Sequence, residues 1–186
     1  MSLELLKPEI EGVEIKVLKT HADDRGFFRE IIRETDPFFA TKDEPPFGQW
    51  SHSKMAENTI KAWHYHHKQI DWWYVGMGTL RVGLIDNRES SPSYKKKMDF
   101  LIGEPLGDQP VLSAVIKIPQ GVLHGCRVIS SFAHLFYITS QTYNTEDEGR
   151  IPHNASEVDF DWGNLENAII AENDKKYFTP TGPLSL

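Results

Sequence analysis

The sequence predicts an all-β fold, an antiparallel sandwich or barrel, in a single domain. Three observations carry that expectation. The informative segments are short, rich in β-branched and aromatic residues, and alternate apolar with polar positions. Turn signals stand between them at intervals of about ten residues: "DDRG", "DEPPFG", "DNRESSPS", "GEPLGDQP" and "IPQG". Helical periodicity is weak throughout, which leaves antiparallel strands to build the core.

In chain order, "VEIKVLKT" (13–20) and "GFFREIIRE" (26–34) read as the first two strands. "QWSHSKM" (49–55) and "TIKAWHYH" (59–66) follow with clear alternation. "DWWYVGMGTLRVGLID" (71–86) reads as two strands joined through Gly76 and Gly78. "VLSAVIKIP" (111–119), "GCRVIS" (125–130) and "AHLFYITSQ" (133–141) complete the set. Short helices are expected at "DPFFATKD" (36–43) and in the tail at "NAIIAENDKKYF" (167–178), and "YKKK" (94–97) reads as a solvated loop.

A length of 186 residues fits one domain spanning 1–186 with a sizeable core. The formal charge of −7 argues against a sequence-independent grip on nucleic acid or an anionic membrane. It leaves room for a small anionic ligand held by a few local cations. Cys126 is the single cysteine, so no internal disulfide forms, which fits a reducing compartment. No apolar run approaches the roughly 18 residues of a membrane span, and no secretory signal pattern opens the chain. The expectation is a soluble, cytoplasmic protein with no nucleic-acid or membrane partner.

The chemistry concentrates in "IKAWHYHHKQIDWW" (60–73), which places three histidines, an aspartate and three tryptophans together. On an extended strand, Ile60, Ala62, His64 and His66 share one face, and Lys61, Trp63, Tyr65 and His67 the other. A proton-transfer site, a metal site and a crowded aromatic core all remain open at this point. A second histidine motif lies downstream in "IPQGVLHG" (118–125).

Together these stretches resemble the two motifs of the cupin superfamily, the double-stranded β-helix or jelly roll. The first motif, an H-x-H pair, an acid and a glycine, is met by His64, His66, Asp71 and Gly78, with Asp where Glu is usual. The second, P-x-G-x-x-H, is met by Pro119, Gly121 and His124. In metal-binding cupins these positions supply three histidines and a carboxylate. The resemblance therefore admits a divalent transition metal on His64, His66, Asp71 and His124.

The flanks give a narrower resemblance, to the dTDP-4-dehydrorhamnose 3,5-epimerase family, a cupin branch that usually works without metal and generally as homodimers. "DDRGFFRE" is similar to its D-x-R-G-x-F-x-E signature, "FGQWSHS" to F-x-Q-D-N-x-S-x-S, and "KAWHYH" to R-G-L-H-Y-Q. "IDNRESSPSY", "IPQGVLHGC", "LFYITSQTYNTEDEG" and the tail "IIAEND" extend the likeness across most of the chain. The resemblance implies His64 as catalytic base, Asp174 as the carboxylate that orients it and Tyr137 as the acid on the opposite face of a sugar. It puts Arg25, Glu30, Gln49, Ser51, Lys61, His124 and Glu148 at substrate-contact positions, and makes a nucleotide sugar the partner. The implied reaction removes a proton beside a 4-keto group, where the carbanion delocalises into an enolate.

Several positions depart from the family pattern. Its Arg-Gly before the base is Lys61-Ala62 here, its Gln two residues after the base is His66, and the Lys of its tail Lys-Asp is Asn173. The Asp-Asn after its Gln is Trp50-Ser51. Its Lys near the developing enolate aligns with Asp71. Two unit charges 4 Å apart interact by about 4 kcal/mol at an effective dielectric of 20, so exchanging cation for anion matters. Asp71 must be neutralised, by Lys61, Lys68 or a metal, or point elsewhere.

Overall fold

The computed structural model describes residues 5–6, 8–39 and 47–181. Its strands are β1 (Leu5–Leu6), β2 (Glu14–Val17), β3 (His21–Asp23), β4 (Gly26–Phe28), β5 (Gln49–Ala56), β6 (Thr59–His66) and β7 (Asp71–Asp86). There follow β8 (Lys97–Gly103), β9 (Val111–Leu112), β10 (Ala114–Ile118), β11 (Val122–Thr139), β12 (Glu148–Arg150) and β13 (Ile169–Ile170), then a 3-10 helix at Glu172–Lys175. No helix among the described residues is long and apolar enough to cross a membrane.

Two long strands, β7 and β11, organise the molecule. The first part of β7 (71–75) pairs with β10 on one side and with the end of β11 on the other, and β11 there pairs with β5. The second part of β7 (79–85) pairs with β8 and with the start of β11, which in turn pairs with β6. Two layers result, β1-β2-β10-β7-β11-β5 and β9-β8-β7-β11-β6-β12, sharing the bent β7–β11 pair. This is a jelly roll, as the cupin resemblance implied; the period-two pattern and turn spacing foretold its antiparallel layers.

Gly78 marks the bend. Its φ is +73°, and the β7–β11 register shifts between Leu80↔Val128 and Gly78↔Ala133. A Cβ at Gly78 would lie 2.0 Å from the Phe132 carbonyl oxygen, so only glycine fits. Gly76 and Gly78 therefore do not end one strand and begin another; they let a single strand turn between the layers.

The main core fills the space between the layers. Ile15, Val75, Ile116 and Leu135 come from one layer and Leu80, Val82, Leu84, Ile102 and Val128 from the other. Leu80, Val82 and Leu84 share a face at period two and are fully buried, each contributing about 1.5–3 kcal/mol. A second cluster, Ile60, Ala62, Trp63, Ile85 and Leu123 with Trp162, covers the outer face of the second layer. With both faces covered, β7 is buried along nearly its whole length.

Some expected elements change. Only 26–28 of the segment 26–34 is strand, pairing with β3 in an exposed hairpin separate from the main sheet. Residues 31–36 are instead tied down by buried Lys16, whose Nζ donates to the Ile31 carbonyl at 2.9 Å and to Asp36 Oδ2 at 2.5 Å. The helix expected at 36–43 is a turn through Phe39, and 40–46 lies outside the described residues. Lys97 belongs to β8 rather than to a loop, a strand with no counterpart in the sequence reading. The tail forms β13, parallel to β6, and a single 3-10 turn rather than an α-helix.

Candidate active site

A cavity of about 200 Å³ lies where β5, β6, β7, β11 and β12 converge. Lys61, His64 and His66 reach it from β6, Asp71 and Trp73 from β7, and His124, Cys126 and Tyr137 from β11. Simple alternation put Lys61 on the face opposite His64; the structure corrects this. His64 pairs with His124 and Lys61 with Cys126, so β6 spends one residue more than β11 over this interval. That bulge resets the alternation. Lys61 joins His64 in the cavity, while Ile60, Ala62 and Trp63 pack into the second core.

His64 Nε2 lies 2.9 Å from Asp174 Oδ1. The Asp174 side chain is 5% exposed and that of His64 24%. The 3-10 turn presents Asp174, its N–H donating to the Ala171 carbonyl at 3.0 Å and its carbonyl accepting the His153 N–H at 3.2 Å. With Nε2 held by the carboxylate, Nδ1 is the nitrogen left to take a proton. The carboxylate fixes the ring and offsets the charge it would gain.

The closed end of the cavity holds a polar chain. Gln69 Nε2 donates to Asp71 Oδ1 at 2.7 Å and lies 3.1 Å from His66 Nε2. Trp73 Nε1 donates to Asp71 Oδ2 at 3.0 Å. The donors to Asp71 are thus Gln69 and Trp73 rather than Lys61, which donates to Ser53 Oγ at 2.8 Å, or exposed Lys68. His124 Nδ1 donates to the Val122 carbonyl at 3.1 Å, and burial pushes its pKa down to about 3 against the opposing pull of Asp71. Burial likewise pushes the Cys126 thiol up to about 12, so it packs as a small apolar group.

The four ligands that the cupin resemblance admits as an alternative do not all converge. His66, Asp71 and His124 bring ligand atoms within 4.8 Å of one another, whereas His64 turns to Asp174. Gln49, Tyr137 and Glu148 line the cavity, with Arg150 Nε donating to Glu148 Oε1 at 2.6 Å. Ser51 stands one step back and accepts from Gln49 Nε2 at 2.8 Å. Arg25 and Glu30 are exposed and paired locally, with Asp23 and Arg33, outside this cavity. Gln69 was missed: it sits in a loop, where alternation gives no signal.

A profile of the dTDP-4-dehydrorhamnose 3,5-epimerase family matches residues 7–180. The chain belongs to this family. The spore coat polysaccharide biosynthesis protein SpsL of Bacillus subtilis is 39% identical over 156 residues, 82% of this chain and 96% of that protein. The probable low-salt glycan biosynthesis epimerase Agl13 of Haloferax volcanii is 31% identical over 159 residues, 83% and 96% of the two chains. Among solved structures, NovW, a 4-keto-6-deoxy sugar epimerase from Streptomyces spheroides, superposes with a TM-score of 0.81 at 22% identity, covering 95% of this chain and 87% of that one. The dTDP-4-dehydrorhamnose 3,5-epimerase of Elizabethkingia anophelis gives 0.79 at 24% identity and covers 94% of each chain. At such identities the structural likeness supports the fold, and family membership rests on the sequence match.

Proposed function

We propose that the protein is an isomerase that removes and returns protons at C3, C5 or both of a 4-keto-6-deoxyhexose carried on a nucleotide. The observation that carries this reading is the His64–Asp174 pair in a cavity that Tyr137 also lines. His64 stands in one layer of the jelly roll and Tyr137, on the end of β11, in the other. A 4-keto group acidifies its neighbouring C–H bonds because the carbanion becomes an enolate. His64 takes the proton from one face, Asp174 stabilises the imidazolium, and the Tyr137 hydroxyl returns a proton from the other face, inverting the centre. Lys61, Gln49, Glu148 and His124 are assigned to holding the substrate, with Ser51 positioning the Gln49 amide, and the proton transfers themselves use protein groups alone.

The same reading makes the protein a cytoplasmic homodimer. An apolar groove of about 450 Å³ lined by Ile31, Ile32, Phe47, Trp50, Trp72 and Tyr74 adjoins the cavity through Tyr137. Trp50 is 68% exposed in the single chain, the kind of patch that a partner covers. A second copy seated there would also give the exposed β3–β4 hairpin, with Arg25, a neighbouring cavity to approach. Light scattering after gel filtration should give twice the chain mass, and Trp50→Glu should shift it to the monomer.

The catalytic test is solvent deuterium incorporation at C3 or C5 of dTDP-4-keto-6-deoxyglucose. Exchange well above the protein-free rate is expected. Saturable binding of this sugar without exchange would overturn the reading and leave a binding protein.

A further inference from the structure

We propose that Cys126 and Leu135 form the wall that reads the substituent on C5 of the sugar, seating a methyl group there and rejecting a hydroxymethyl. The seating of the ring rests on the epimerase reading; the inference adds the residues that make this chain selective at C6.

The strand register places the wall. On β11, Cys126 stands two residues from His124, which pairs with His64, and Leu135 stands two residues from Tyr137. At period two each shares a face with that neighbour and lies about 7 Å along the strand from it. His64 and Tyr137 belong to opposing layers, and so do Cys126 and Leu135. All four line the same cavity. A ring held between His64 and Tyr137 therefore has the Cys126–Leu135 pair on one side of it.

That side gives a buried hydroxyl little to bond. Cys126 and Leu135 are 1% and 4% exposed and belong to the main core, against which Tyr137 also packs. Their neighbours across the strands, Lys61 and Ser53, are polar but turned to each other, the exposed lysine Nζ donating to Ser53 Oγ at 2.8 Å. The other side of the reacting pair is polar. There Gln69 and Trp73 hold the Asp71 carboxylate, and His124, which donates Nδ1–H to the Val122 carbonyl, keeps its Nε2 lone pair as an acceptor.

A 4-keto-6-deoxyhexose has the same asymmetry about its keto carbon: C5 carries a methyl and C3 a hydroxyl. The seating that matches both puts the methyl on Cys126 and Leu135 and the 3-hydroxyl toward the Asp71 end. A hydroxyl added to that methyl would be buried against a thiol and an isobutyl group. Apolar pockets reject such an addition by about 10- to 100-fold.

Two unreactive ligands that differ only at C6, dTDP-6-deoxyglucose and dTDP-glucose, read the wall directly when each is titrated into the full chain in a calorimeter. The 6-deoxy ligand should bind about 10- to 100-fold more tightly. Cys126→Ser exchanges one atom and offers the added hydroxyl a partner, so it should narrow that ratio by at least about fivefold; Leu135→Thr takes its place if that variant does not fold. Binding of the two ligands within about threefold of each other overturns the wall, as does a ratio that Cys126→Ser, or Leu135→Thr in its place, leaves unaltered. If dTDP-4-keto-6-deoxyglucose exchanges deuterium in either case, the epimerase reading stands without the wall. Selective binding that the variant relaxes, with no exchange by the parent, overturns the epimerase reading and leaves the wall. Binding of neither ligand overturns the wall whatever the exchange.

Discussion

Replacing Asp174 with asparagine isolates the charge of the His64–Asp174 pair. Asparagine keeps the size and the Oδ1 acceptor, so the 2.9 Å contact from His64 Nε2 can persist while the negative charge goes. Oxygen and nitrogen are in direct contact and the carboxylate is 5% exposed, so solvent screens the pair weakly. A unit ion pair at 4 Å is worth about 4 kcal/mol at an effective dielectric of 20, and a charged hydrogen bond exceeds a neutral one by about 1–2 kcal/mol. The imidazolium formed on proton abstraction should therefore lose about 2–4 kcal/mol, lowering kcat about 30- to 1,000-fold. KM should hold, because Asp174 touches the base and not the cavity. Exchange at C3 and C5, followed by NMR at saturating substrate, reads the rate directly. A kcat within about threefold of the parent, with unchanged thermal stability, would refute the assignment of His64 as a base oriented by Asp174.

Tyr137→Phe should separate proton removal from proton return: exchange into the starting epimer continues while inverted product falls by at least about 100-fold, read by NMR of the two epimers. Gly78→Ala should cost at least about 2 kcal/mol in urea unfolding, since it combines a positive φ with a Cβ 2.0 Å from the Phe132 oxygen. Asp86 is fully buried, and although burial works to raise its pKa, hydrogen bonds from Arg88, Ser91 and Ser93 hold it at about 2. Because the unfolded chain takes up that proton near pH 4, Asp86 should contribute about 2 kcal/mol above pH 4, lost as the pH falls toward 2. Thermal melts across that range should show this loss in the parent and not in Asp86→Asn.

The parts legible in the sequence are those where one physical rule dominates. Alternation bounded by turn residues gave β6 and β7 their observed ends, 59–66 and 71–86. The bulge in β6 was illegible because one extra residue leaves no compositional trace, and with it went the placing of Lys61. Strand β8 opens on "KMD", which reads as a continuation of the lysine run, and only its pairing with β7 makes it a strand. His64 stood out through its motif. Asp174 lies 110 residues away and could be assigned only through family likeness, since nothing local in "AENDK" marks it as a partner for a histidine. The fate of Asp71 turned on Gln69 and Trp73, two residues before and after it, whose side-chain directions no periodicity dictates.

The 3-10 turn that carries Asp174 has an uneven relation to the strand that carries His64. β6 lies within the sheet, joined to β11, β12 and β13, so its amides should open to solvent only as the domain unfolds. The segment bearing Asp174 is held by a two-residue parallel pairing, a few loop hydrogen bonds and the bridge between Arg150 and Phe178. The proposed base is thus mounted on the framework, and its counter-charge hangs on a clip. A proteolytic nick ahead of Ile169, or mild denaturant that frees the clip, should leave the jelly roll standing while its histidine loses its partner, so the proposed activity should disappear before structure does.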